Sequence, residues 1–161
     1  MKQFARMRKD TLLKQVKKFQ LPIPNAEQLS VEKLRSQINL HIKMYLESWF
    51  MRRVKEDILL QHDLMPPGRN KTYLPNSKLE FDFSWRSIRL AVEIQGGLER
   101  RGGHTTAAGI KRDMRKMCLA QINGWLLLQL HSEEITSNSM WELHTMPLIV
   151  KAIQLQRSRS V

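Results

Sequence analysis

Two short stretches of strict alternation dominate the pattern of hydrophobic and polar positions. In residues 79–85, Leu79, Phe81, Phe83 and Trp85 alternate with Glu80, Asp82 and Ser84; in residues 90–95, Leu90, Val92 and Ile94 alternate with Ala91, Glu93 and Gln95. A period of two predicts a pair of strands, each with one face packed away. With residues 86–89 as the reversal, Trp85 faces Leu90, Asp82 faces Glu93 and Glu80 faces Gln95. Directly opposed residues of an antiparallel pair project on the same side, with Cβ atoms roughly 4.5–5.5 Å apart. Two carboxylates are thereby expected side by side on the face away from the aromatic row.

The rest of the chain is mostly helical in pattern. Phe4, Met7, Leu12, Leu13, Val16 and Phe19 recur at helical spacing over residues 1–20, and the prolines of LPIPN, residues 21–25, end that helix. Asn25 or Ser30 is the expected cap of the next one. Leu34, Ile38, Ile42, Tyr45, Trp49 and Leu60 predict one long helix or two shorter ones before MPPGRN, residues 65–70, stops the pattern. Residues 71–74 suit a first short strand. The glycine-rich run 96–109 predicts a flexible loop. A helix then starts near Thr105 or Thr106, with Ile110, Met114, Met117 or Cys118, and Gln121 along its apolar side. Asn123 and Gly124 end it. WLLLQL, residues 125–130, predicts a strand covered on both faces. The remainder looks helical around Leu143 and residues 148–155, interrupted at Pro147. The order is α+β: a helix, a three-stranded antiparallel meander, a helix, and a fourth strand parallel to the third through a right-handed crossover.

Charge narrows the range of partners. The 161 residues carry 27 Lys and Arg against 15 Asp and Glu, a net +12, which points to a polyanion and most often nucleic acid. Residues 1–20 alone contribute +6, so Lys14, Lys17 and Lys18 are candidate phosphate contacts. No apolar run approaches the length needed to span a bilayer, so no membrane partner is expected. A basic start without an apolar stretch behind it argues against secretion. The single cysteine, Cys118, has no partner within the chain and is expected as a small buried side chain in a reducing, intracellular (cytoplasmic) setting.

The opposed carboxylates carry the chemistry. Held this close, they repel unless a proton or cation lies between them, and Mg²⁺ is commonly bound by one or two carboxylates together with substrate phosphates. The run FDFSWRSIRLAVEIQGG followed by RGGHTTAAGIKRDMRKMCLAQINGW resembles the PD-(D/E)xK nuclease superfamily. Within it the similarity is greatest to a phage and prophage branch, alongside Holliday-junction resolvase-like and very-short-patch-repair-like enzymes. That branch has an aspartate on one strand, E-x-x-G-G on the next, a G-R-H-like loop, a helix with D-x-x-K and a G-W opening the last strand. The resemblance spans roughly residues 47–130 and implies a restriction-endonuclease-like core. It divides the chain into a basic helical extension, 1–44, and a nuclease domain, 45–161.

The resemblance implies that Asp82 and Glu93 bind the metal, Mg²⁺ with Mn²⁺ as a substitute, with the Ile94 carbonyl as a further ligand. Gln95 stands where the family usually has lysine, and Lys116, on the same helix face as Asp113, is the candidate replacement. Glu47 matches the upstream acidic residue, with Glu56 competing for that role. His104 matches the loop histidine, though Gly103 precedes it where arginine is usual. Arg100, Arg101, Lys111 and Arg112 join the amino-terminal lysines as expected DNA contacts. The activity implied is that of an endodeoxyribonuclease acting on branched or duplex DNA, such as a Holliday junction, for which a homodimer would match the two-fold substrate. A DNA-binding protein on a degenerate nuclease core is the main alternative. A nicking enzyme of mismatch repair is a variant of the first expectation, and an RNA-binding regulator has the least support.

Overall fold

A computed structural model describes residues 8–18, 20–71, 74, 78–95 and 107–159. Helix α1 spans Lys9–Lys18, within the expected first helix; residues 1–7 and 19 lie outside the described residues, and Arg8 and Gln20 are not helical. After the prolines and a 3-10 turn at Ala26–Gln28, the long helix α2 occupies Val31–Val54. Ser30 caps it: its backbone is extended, and its Oγ accepts the Lys33 N–H at 3.3 Å. Asn25 makes no capping bond, because it lies in the left-handed region at φ 52°, where the cap geometry is lost. Of one long helix or two shorter ones, the structure has one, unbroken through the charged residues Arg52, Arg53, Lys55, Glu56 and Asp57. It widens there into a π-helical turn, Lys55–Leu59.

Strand β1, Gly68–Lys71, begins inside the stretch expected to be a loop. It pairs with β2, Phe81–Trp85, although no alternation of side chains announces it. A 3-10 turn at Arg86–Ile88 leads into β3, Leu90–Gln95. Helix α3, Ala107–Ile122, connects to β4, Leu126–His131. The sheet order is β1-β2-β3-β4, antiparallel except for the parallel β3–β4 pair. This is the mixed α+β topology that the pattern predicts. The carboxyl-terminal part comprises α4, Ser132–Thr136, α5, Asn138–Met140, a π-helical turn at Trp141–Thr145, and α6, Met146–Ser158. Pro147 does not interrupt the helix: α5, the π-helical turn and α6 follow one another without a break, and the wider π-helical turn just before Pro147 is where the proline is accommodated.

One sheet face is covered by α2 and the carboxyl-terminal helices. Phe83, Trp85, Leu90, Val92 and Leu130 pack there with Phe50, Val54, Ile58, Ile135, Trp141, Ile149 and Ile153. The N–H groups of the two buried indoles of this layer are satisfied: Trp85 donates to the Met65 carbonyl and Trp141 to Asp57 Oδ2. The other face meets α3, where Ala91 packs with Ala120 and Trp125. A separate cluster joins Leu12 and Ile23 to Leu34 and Ile38 on the first half of α2. This single helix crosses residue 44: its first half packs on α1, its second on the sheet.

Several expectations change. Phe81 leaves the aromatic row and packs on Trp125, ring centres 5.2 Å apart, while its backbone stays paired with Lys71 of β1. The polar face of the hairpin is not solvated: Asp82, Ser84 and Glu93 are all buried, with Lys116 of α3 bonded to Glu93 and Lys43 of α2 paired with Asp82. Helix α3 is rotated from the expected orientation, with Gly109 and Ala120 buried and Ile110, Met114 and Met117 exposed. Cys118 is exposed on the same outward side. Strand β4 is a sheet edge and is only partly covered over Leu126–His131.

Candidate active site

The site forms where the β2–β3 ladder ends. Continued by one step, the Phe83–Val92 register sets Asp82 opposite Glu93. Side chains take over the pairing there. Ile94 N–H donates to Asp82 Oδ2 at 2.9 Å, and Asp82 N–H donates to Glu93 Oε1 at 3.2 Å. Each carboxylate thus satisfies a backbone donor of the opposite strand, which holds both acids in fixed orientations.

Two helices bring cations to this pair. From α3, Lys116 donates to Glu93 Oε1 at 2.9 Å and to the Glu80 carbonyl at 2.6 Å. From α2, Lys43 lies 2.8 Å from Asp82 Oδ1 and 3.6 Å from Glu47 Oε1. Glu47 is buried and is held on its other oxygen by Arg69 of β1 at 2.5 Å. The chain of charges runs Arg69, Glu47, Lys43, Asp82, Glu93, Lys116. Burial, and next the charge of Asp82, push the Glu93 carboxyl above its ordinary 4.5, against the opposing pull of Lys116 and the Asp82 N–H. Burial lowers the Lys43 pKa, but its Asp82 hydrogen bond and the charges of Asp82, Glu47 and Glu93 leave it raised, so its ammonium stays protonated at neutral pH.

The acids open into a cleft of about 350 Å³, lined also by Leu46, Lys78, Ile94, Arg112 and Asp113. Of the residues singled out from sequence, Asp82, Glu93, Ile94, Lys116 and Arg112 therefore share one cleft, and Glu47 joins it through Lys43. Glu56 is exposed on the π-helical turn and does not line the cleft. Gln95 closes β3 opposite His131 and is not part of the cleft wall. Lys111, Lys14, Lys17 and Lys18 are exposed and do not line the cleft. His104, Arg100 and Arg101 lie outside the described residues. Lys43 and Arg69 are the site residues that sequence reasoning misses. The signal for Lys43 is its spacing of i, i+4 from Glu47, which puts both on one helix face; Arg69 leaves no comparable trace.

In donor chemistry Asp82 and Glu93 fit a hard divalent cation: two carboxylates whose charges oppose each other, opening on a cleft with room for a phosphate. Among the described residues no group of three or more His, Cys, Asp or Glu side chains is placed to hold a metal. Further ligands would have to be backbone carbonyl, water or substrate oxygen. Compared with protein-family models, curated proteins and solved structures, the chain matches none. Among the described residues no helix is long and apolar enough to cross a membrane.

Proposed function

We propose that the protein is a divalent-metal-dependent endodeoxyribonuclease. The observation that carries this reading is the buried Asp82–Glu93 pair at the floor of a cation-rimmed cleft, with Lys116 bonded to Glu93. Asp82 and Glu93, with the Ile94 carbonyl, would hold Mg²⁺ or Mn²⁺. When bound, such an ion supplies positive charge at the scissile phosphate and makes a water molecule a better nucleophile. Lys116, anchored by two acceptors, has a third proton to offer a phosphate oxygen and so supplies the charge that Gln95 lacks. Arg112 and Lys78 on the cleft rim neutralise backbone phosphates without reading bases, and the α1 lysines extend that basic surface. The substrate is branched DNA such as a Holliday junction, cut by an intracellular homodimer.

A second reading rests on a specific observation. Asp82 and Glu93 each already hold an ammonium, from Lys43 and Lys116, so the site is charge-compensated as it stands. That is the arrangement expected of a DNA-binding protein on a degenerate nuclease core. Cleavage of a labelled four-way junction and of linear duplex, by wild-type and Glu93→Gln protein with and without Mg²⁺, separates the two. Metal-dependent cutting lost in the variant supports the nuclease, and faster cutting of the junction supports branch selectivity. DNA binding by both proteins without any cutting selects the second reading.

A further inference from the structure

We infer that Lys43 is a built-in competitor for the divalent cation, and that a DNA phosphate frees the site by drawing its ammonium away. This rests on the nuclease reading and concerns how that site is loaded.

The geometry is asymmetric. Lys116 is largely enclosed, with 13% of its side chain exposed, and is tied both to Glu93 and to the Glu80 carbonyl. Lys43 is 52% exposed, and its ion-pair partners among the described residues are Asp82 at 2.8 Å and Glu47 at 3.6 Å. Asp82 Oδ2 is committed to the Ile94 N–H, which leaves Oδ1 to face an incoming cation, and Oδ1 is the atom that Lys43 covers. An ammonium and a divalent ion cannot both occupy that position. Withdrawing a half-exposed lysine costs little, because its charge remains solvated and its long side chain regains rotamer freedom. Glu47, i+4 on α2 and clamped by Arg69, keeps the displaced ammonium close to the cleft mouth. A phosphate entering there offers Lys43 a new anionic partner and uncovers Oδ1. By linkage, DNA and metal then tighten each other's binding by the same factor.

The test is Mn²⁺ binding followed by electron paramagnetic resonance, with wild-type, Lys43→Met and Lys43→Arg proteins, alone and with a phosphorothioate duplex that resists cleavage. DNA cutting with Mn²⁺ is measured in parallel on ordinary duplex. The expected result is that Lys43→Met binds Mn²⁺ roughly two- to fivefold more tightly than wild type in the absence of DNA, the range for removing one partly exposed ionic competitor. Lys43→Arg keeps the competing charge and stays near wild type. Duplex tightens Mn²⁺ binding to the wild type by a larger factor than to Lys43→Met, and equal tightening of the two overturns the competitor role. If all three proteins bind Mn²⁺ alike without DNA while the wild type still cuts, the competitor role is overturned and the nuclease reading stands. If none binds Mn²⁺ and none cuts, both fall.

Discussion

Glu93 concentrates the electrostatic cost of the site. Burial and the neighbouring Asp82 raise its pKa above the ordinary 4.5, so the folded chain holds this proton more tightly than the unfolded chain does. The group therefore supports the fold fully below the ordinary value, and that support is lost as pH rises through the folded value. At neutral pH the ionised carboxylate is a liability that Lys116 only partly offsets. Glu93→Gln, which keeps the acceptor for Lys116 and for the Asp82 N–H, is expected to melt at a higher temperature than wild type near pH 7. The difference should shrink as pH falls towards 4.5. Thermal unfolding across that range checks it, and a gap that widens on acidification would contradict the assigned direction. Residue identity makes this acid pair visible in the sequence, since alternation on two strands sets Asp82 against Glu93 whatever surrounds them. Lys43 is not legible there, because its position over Asp82 depends on the path of α2 across the sheet.

At the scale of elements, α3 is the instructive case. Its sequence offers two stripes at helical spacing: an apolar one through Ile110, Met114 and Met117, and a mixed one through Gly109, Asp113, Lys116 and Ala120. Hydrophobic periodicity favours burying the first. The helix buries the second, because Lys116 meets a buried carboxylate and Gly109 and Ala120 are small enough for close approach to the sheet. Ion pairing and available volume thus outweigh the apolar pattern. Met114 is 62% exposed and Ala120 fully buried. Met114→Lys should change stability by no more than about 0.5 kcal/mol. Ala120→Lys, which overfills the layer and buries an unpaired charge, should cost about 3 kcal/mol or more. Urea unfolding of the two variants decides the orientation, and equal losses would count against it. The same limit explains β1: a strand defined by backbone pairing with β2 needs no side-chain alternation and leaves none to be found.

At the scale of the molecule, the excess positive charge is the property with the most direct consequence. Lys14, Lys17 and Lys18 lie on α1, the helix that packs on the first half of α2. If they contact duplex phosphates, replacing all three with Gln should lower the slope of log K against log salt by about 2.7, close to 0.9 for each contact. Fluorescence anisotropy at several salt concentrations measures it; an unchanged slope would exclude α1 from the DNA surface. The sequence by itself determined the order of elements, the antiparallel hairpin, the parallel fourth strand, the opposed acids and the sign of the charge expected of a partner. These depend on local periodicity, on crossover chirality and on composition, none of which needs distant residues to be located. Only the tertiary structure decided which face of α3 turns inward, that Phe81 leaves the aromatic row, and that Lys43, Glu47 and Arg69 close a chain of charges around Asp82. Each of those outcomes follows from contacts between segments far apart in sequence, where burial, charge and volume compete and a local pattern carries no record of the result.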